Sequence, residues 1–169
     1  MEEIILTMPE RAILSNQNRI LSILDPEHAE EYNHLADIAE EGYPYFYGNL
    51  ISNISRETPL DICEETTSIL NMYRGINNSI ARLTEDEKTK LDLEKLKFEG
   101  FDANNDKHYH FMSFAVDKCD LYVEYKEKYY NSHDIQTIDK YRKMLKIYNS
   151  VDVKHSLTFE DLKNLCEKI

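Results

Sequence analysis

Asp102-Ala103-Asn104-Asn105-Asp106 spaces three oxygen ligands as the first half of a calcium loop does, with side chains at alternate positions aimed at one hard cation. The second half departs from that pattern. The position that requires glycine for the sharp turn is Lys107, and the position that requires a bidentate glutamate is Ser113. A helix N-terminus capped by Asp102, Asn104 or Asn105 accounts for the same residues. Just beyond, His108-Tyr109-His110 offers two imidazoles, but helix positions two apart diverge by about 200°, so the rings cannot share a metal. His108 shares a stripe with Met112, Ala115, Cys119 and Tyr122 and reads as a satisfied core histidine. Cys119 is about three turns from it, too far for a nucleophile and its base.

Glu31-x-x-His34 has the spacing of a carboxylate-bridged diiron bundle. Such a site needs a second pair and two further inward carboxylates. Only Asp152-x-x-His155 offers itself, in a loop-like stretch, so solvated helix residues are the better reading. The chain has no P-loop, G-x-G-x-x-G, G-x-S-x-G or H-E-x-x-H, and no cofactor or resident metal is expected. One enzymatic alternative stays open: a small metal-dependent hydrolase assembled from residues distant in sequence, such as His34, Asp102, Asp106 and His155.

The elements that would position these residues are helices. The 169 residues are 41% hydrophobic and 31% charged with four Gly and four Pro, the profile of an ordered helical protein. Thr7-Met8-Pro9-Glu10, Asp25-Pro26-Glu27, Thr58-Pro59 and Thr158 with Asp161 are helix starts. The pattern predicts helices over 9–24, 26–41, 59–83, 85–96, 104–126, 135–149 and 159–168, and no period-two segment long enough for a strand. The class is all-α, an N-terminal helical hairpin over 1–57 followed by a larger helical-bundle domain over 58–169. The aromatic Gly42–Gly48 stretch is the connector, its rings expected to pack on neighbouring helices. Ile62, Thr66, Ile69, Tyr73, Ile76, Ile80 and Leu83 form a heptad seam that must lie along another helix, within the subunit or across to a second one. Gly75, in its middle, suggests a close backbone approach. Phe114 and Leu121, off the His108 stripe, suggest that the 104–126 helix is buried on two faces.

The net charge of −12 disfavours nucleic acid, whose non-specific affinity comes from Lys and Arg displacing counterions. The Lys88–Lys97 and Lys140–Lys146 clusters are mixed with acids and hydrophobes and read as solvated faces. Short apolar runs and a start without a signal peptide predict a cytosolic protein that does not enter the membrane. Cys63, Cys119 and Cys166 are odd in number with no C-x-x-C, so reduced thiols are expected.

The helix over 9–24 carries an oddity. Ile13, Ile20 and Leu24 lie within about 20° of one line, and Asn16 and Gln17 fall on the same apolar stripe while Ser15 points away. A buried carboxamide without partners costs about 1–3 kcal/mol, so both are expected to be enclosed and hydrogen-bonded. They would set helix register, as an Asn does in a coiled-coil seam, or else line a cavity. The candidate buried-polar and interaction residues are therefore Asn16, Gln17, Asp102 and His108.

LSNQ at 14–17, LDP at 24–26, EGY at 41–43, NMYRGI at 71–76, FEGFDANND at 98–106 and DKYRKMLKIY at 139–148 resemble, in order, the signatures of the bacterial YfbU family. The likeness is weakest over about 44–57 and 84–95. It implies an all-helical protein with an N-terminal hairpin and a larger helical domain, self-associating as a homo-oligomer. It also implies a link to stress or cell-death physiology, and carries no catalytic residue, substrate or cofactor with it. Some relatives have an added ribbon-helix-helix segment. This chain starts near the LSNQ helix, so DNA binding of that kind is not expected. Together these readings favour a self-associating protein-interaction or regulatory module over the hydrolase.

Overall fold

The computed structural model describes residues 4–126, 130–133, 135–151, 154 and 156–169. The described residues are helical and contain no strand beyond one isolated parallel bridge, Phe101 with Asn131, so the protein is all-α. The chain divides into two units, Met1–Glu57 and Thr58–Ile169.

In the first unit, α1 (Met8–Leu24) starts in a reciprocal cap: the Glu10 amide donates to Thr7 Oγ1 at 3.4 Å, and the Thr7 amide donates to Glu10 Oε2 at 2.7 Å. Asp25-Pro26 ends it. A 3-10 turn, Pro26–His28, delays the second helix, so α2 spans Ala29–Glu41 instead of opening at Pro26. Gly42 closes α2 in the left-handed region, φ 74°, its amide reaching the Ile38 carbonyl at 3.1 Å. The connector differs from expectation. It forms a 3-10 turn and the one-turn helix α3 (Tyr47–Leu50), and buries only Tyr47; Tyr43, Tyr45 and Phe46 are exposed.

The second unit is arranged around α4 (Leu60–Ile80), which packs against α6 (Lys107–Asp117) and α7 (Ile138–Asn149). Thr66, Ile69, Tyr73 and Ile76 of the seam are buried, and so are Leu70, Met72, Gly75 and Ser79, which makes the buried face wider than one seam. The helix is central within its own unit. At Gly75 an added Cβ would lie 2.5 Å from the Tyr148 hydroxyl and 2.9 Å from the Lys154 carbonyl, the close approach that a glycine there suggests. The core is aromatic: the Phe98 ring lies 5.1 Å from Tyr73, 5.4 Å from Phe101 and 5.0 Å from Tyr125.

In this unit α4 stops at Ile80 rather than Leu83, and three other helices are also shorter than the sequence pattern predicts. Over 85–96 only α5 (Glu85–Lys88) forms, behind a Thr84–Glu87 cap; the chain then runs in i+3 turns that insert Leu91 and Leu96 into the core. The helix expected over 104–126 begins at Lys107 and ends at Asp117, because Asp120 and Tyr122 take left-handed backbone angles, φ 53° and 52°. Phe114 and Leu121 are exposed, so that helix has one buried face. α7 begins at Ile138 rather than 135, where buried Thr137 turns its hydroxyl to the Gly100 carbonyl at 2.9 Å. The last helix, α8 (Phe159–Lys168), opens on the Thr158–Asp161 cap.

Candidate interaction surface

α1 has two unlike faces, and it packs the polar one. Ser15 and Asn18 are its buried residues. Ser15 Oγ donates to Glu40 Oε1 at 2.6 Å, and Arg19 donates to Asn33 at 2.8 Å, Asp37 at 2.6 Å and Glu40 at 3.1 Å, so α1 and α2 run antiparallel. Ser15 and Arg19 hold the Glu40 carboxyl below the usual carboxylate range through these hydrogen bonds. On α2 the buried residues include Ala36 and Ala39, small enough for a neighbouring helix to approach closely.

The apolar stripe consequently faces outward. Met8, Ile13, Ile20, Ile23 and Leu24 are each more than half exposed, and Leu21 is 41% exposed. Asn16 and Gln17 lie on that stripe and are exposed as well, which corrects the expectation that both are enclosed within the chain. Ser15, expected to point away, is buried instead. The polar face meets matching acceptors on α2, with hydrogen bonds of 2.6 Å from Ser15 to Glu40 and from Arg19 to Asp37. A signal for this arrangement exists in the sequence. Ser15, Asn18, Arg19 and Ser22 recur at three- and four-residue steps, as do Asn33, Asp37 and Glu40.

Beside the stripe is a cleft of about 820 Å³ within the first unit, walled by Gln17 and Leu21 of α1, Tyr32 and Leu35 of α2, and Ile51 and Ile54. Gln17 belongs to both surfaces. Glu31 and His34 also border the cleft. Asp152 and His155 lie outside the described residues. Among the described residues, no three His, Cys, Asp or Glu side chains gather where they could hold a metal ion.

The other two candidates are internal to the second unit. Asp102 is 2% exposed; its carboxylate accepts from the Asn104 amide at 2.9 Å and from Asn105 Nδ2, closing a loop on itself. The residue at the N-cap of α6 is Asp106 rather than Asp102, Asn104 or Asn105, and its carboxylate accepts from the Asp102 amide at 3.1 Å. His108 is buried, stacked on Phe101 with centroids 5.5 Å apart, and its Nε2 meets Glu65 Oε2 at 2.8 Å. Its Nδ1 is buried with no hydrogen-bond partner among the described residues, which suits the tautomer with the proton on Nε2. Glu65 also accepts from Arg142 Nε and Nη2 at 2.7 and 2.9 Å, so one carboxylate ties α4, α6 and α7 together. Arg142 depresses the Glu65 carboxyl, burial opposes the shift, and His108 adds to it. Sequence spacing points to His108 as a core residue but not to its partner, which is 43 residues away.

Burial raises the hydroxyls of Tyr73, Tyr125 and Tyr141 far above the ordinary tyrosine value, and Tyr73 and Tyr141 donate to Met144 Sδ at 3.2 Å and to the Gly100 carbonyl at 2.9 Å. Among the described residues no helix is long and apolar enough to cross a membrane.

An all-helical chain with an outward apolar helix and inward-closed polar nodes is the class that these features define. Residues 4–167 match the YfbU domain, and the chain belongs to that family. It is 31% identical over 163 residues to UPF0304 protein MJECS11 of Methanocaldococcus jannaschii, an alignment that covers 92% of this chain and 95% of that protein. That relative is archaeal.

Proposed function

We propose that this protein is a self-associating protein-interaction or regulatory module, and that it acts by holding other protein surfaces rather than by catalysis. The supporting observation is the outward stripe of α1. Contiguous apolar surface beyond a few hundred Å² is unusual on a monomer and marks a surface that another protein covers. Its residues are set along one helix with two carboxamides among them, a composition suited to a specific contact rather than to non-specific adhesion. The polar nodes at Asp102 and His108 fit this reading, since both direct their hydrogen bonds to the protein's own loops and helices. Light scattering of the full chain tests it. A mass that is a multiple of 20.0 kDa at micromolar concentration is expected, and a strict monomer overturns the proposal.

A further inference from the structure

We infer that the α1 stripe pairs with the α1 stripe of a second copy of this chain, antiparallel, with the twofold axis passing between Asn16 and Gln17. The inference rests on the self-association just proposed and names where and how it occurs.

Charge selects the occupant. A chain of net charge −12 repels its own copy wherever charged surfaces meet, and the stripe from Ile13 to Leu24 carries no charge between Ile13, Asn16, Gln17, Ile20, Ile23 and Leu24. Its one basic neighbour, Arg19, is already engaged by Asp37 and Glu40 on the other face. An acidic partner gains nothing from such a stripe, and a second copy meets its own charge only at the ends of the helix, where Glu10 of one copy comes within about one turn of Asp25 of the other.

Symmetry then fixes the register. The amides stand at the middle of the 17-residue helix. Ile13 and Ile20, equidistant from that middle, lie within about 20° of each other on the wheel, with Asn16 about 50° to one side and Gln17 about 50° to the other. In an antiparallel pair about this point, Ile13 faces Ile20 of the second copy and the reverse, while each amide meets its own counterpart. A carboxamide is the side chain that satisfies a copy of itself, donating and accepting at once. Pairing therefore removes the cost of covering Asn16 and Gln17. The antiparallel sense also sets Asp25 of one copy about 25 Å from Asp25 of the other and opposes the helix dipoles.

The surface continues beyond α1: the cleft that runs from Gln17 and Leu21 to Leu35, Ile51 and Ile54 extends the stripe on the same side, as an interface approaching the roughly 800 Å² per partner of a standard one requires.

The test uses the full chain. Replacing both Ile13 and Ile20 with Glu is expected to return the scattering mass to that of one chain, 20.0 kDa, with the helical circular dichroism unchanged. For orientation, mild oxidation of Asn16→Cys or Gln17→Cys is expected to give a disulfide-linked dimer above the wild-type background. Ile13→Cys alone is expected to give none, because its two copies lie about 10 Å apart along the axes, whereas Ile13→Cys with Ile20→Cys cross-links. A multimer that survives both glutamates overturns the placement on α1 but leaves self-association standing. Cross-linking by Ile13→Cys alone overturns the antiparallel register. A wild-type monomer overturns this inference and the preceding proposal together.

Discussion

The Arg142 guanidinium on α7 donates two parallel hydrogen bonds, 2.7 Å to Oε1 and 2.9 Å to Oε2 of the Glu65 carboxylate on α4, and the same Oε2 also meets His108 on α6 at 2.8 Å. The Glu65 side chain is 22% exposed and Arg142 49%, so the carboxylate is the inner member of the pair. Three helices converge on it, and its removal is felt by all three.

Glu65→Gln preserves the shape and removes the charge. It is expected to cost about 1–3 kcal/mol, measured by urea unfolding, because buried His108 and half-exposed Arg142 lose a charged acceptor. Arg142→Met is expected to cost less, since that residue sits half in solvent.

The same carboxyl gives a pH dependence. Its folded-state value is depressed, first by the Arg142 hydrogen bonds, against an unfolded value of about 4.3. A depressed acid contributes stability above its unfolded value and loses it as pH falls through the folded value. Thermal melts are therefore expected to show wild type losing more stability than Glu65→Gln between neutral pH and the folded-state value, the two curves converging in acid.

Gly75→Ala brings a Cβ to 2.5 Å from the Tyr148 hydroxyl and 2.9 Å from the Lys154 carbonyl. A loss of about 1–3 kcal/mol is expected from overpacking. Adding Tyr148→Phe removes the nearer atom and is expected to restore part of it, read from the shift in denaturation midpoint.

Gly100→Ala is expected to be worse than Gly75→Ala in the same assay. Here φ is 87°, and the new Cβ would lie 2.1 Å from the Tyr130 carbonyl oxygen, a backbone atom that cannot rotate aside. Strain of about 1–3 kcal/mol from the backbone angle adds to the collision.

Asn16→Leu combined with Gln17→Leu is expected to strengthen self-association while broadening the distribution of species in sedimentation velocity. Apolar substitutes add buried area, but they remove the groups that distinguish one register from another.

The caps at Thr7 and Thr158, the seam on α4 and the tight spot at Gly75 were all legible in the sequence, because each follows from contacts within one helix or from the absence of a Cβ. The wheel of α1 also located its apolar stripe correctly. What it could not supply was the direction of that stripe, which depends on Asn33, Asp37 and Glu40 of α2 competing for Ser15 and Arg19. Burial of Asn16 and Gln17 was inferred from the rule that greasy faces turn inward, and in this hairpin the hydrogen-bonded face turns inward instead. The ends of α6 were missed for another reason. Helical periodicity continues through Cys119 and Leu121, while the left-handed turns at Asp120 and Tyr122 leave no mark on composition. The Glu65 node joins residues 43 and 77 positions apart, beyond the reach of any local pattern.

Ser79 has three attachments: its hydroxyl donates to the Gly75 carbonyl at 2.8 Å and accepts the Leu157 amide at 3.0 Å, both out of reach of water, and it also accepts from Arg82 Nη2 at 3.3 Å. The Leu157 amide belongs to irregular chain, where deuterium normally enters within seconds. Held by a buried residue of the central helix, it is expected to take up deuterium slowly, so its exchange reports on how firmly the segment between the last two helices is seated on the unit's interior.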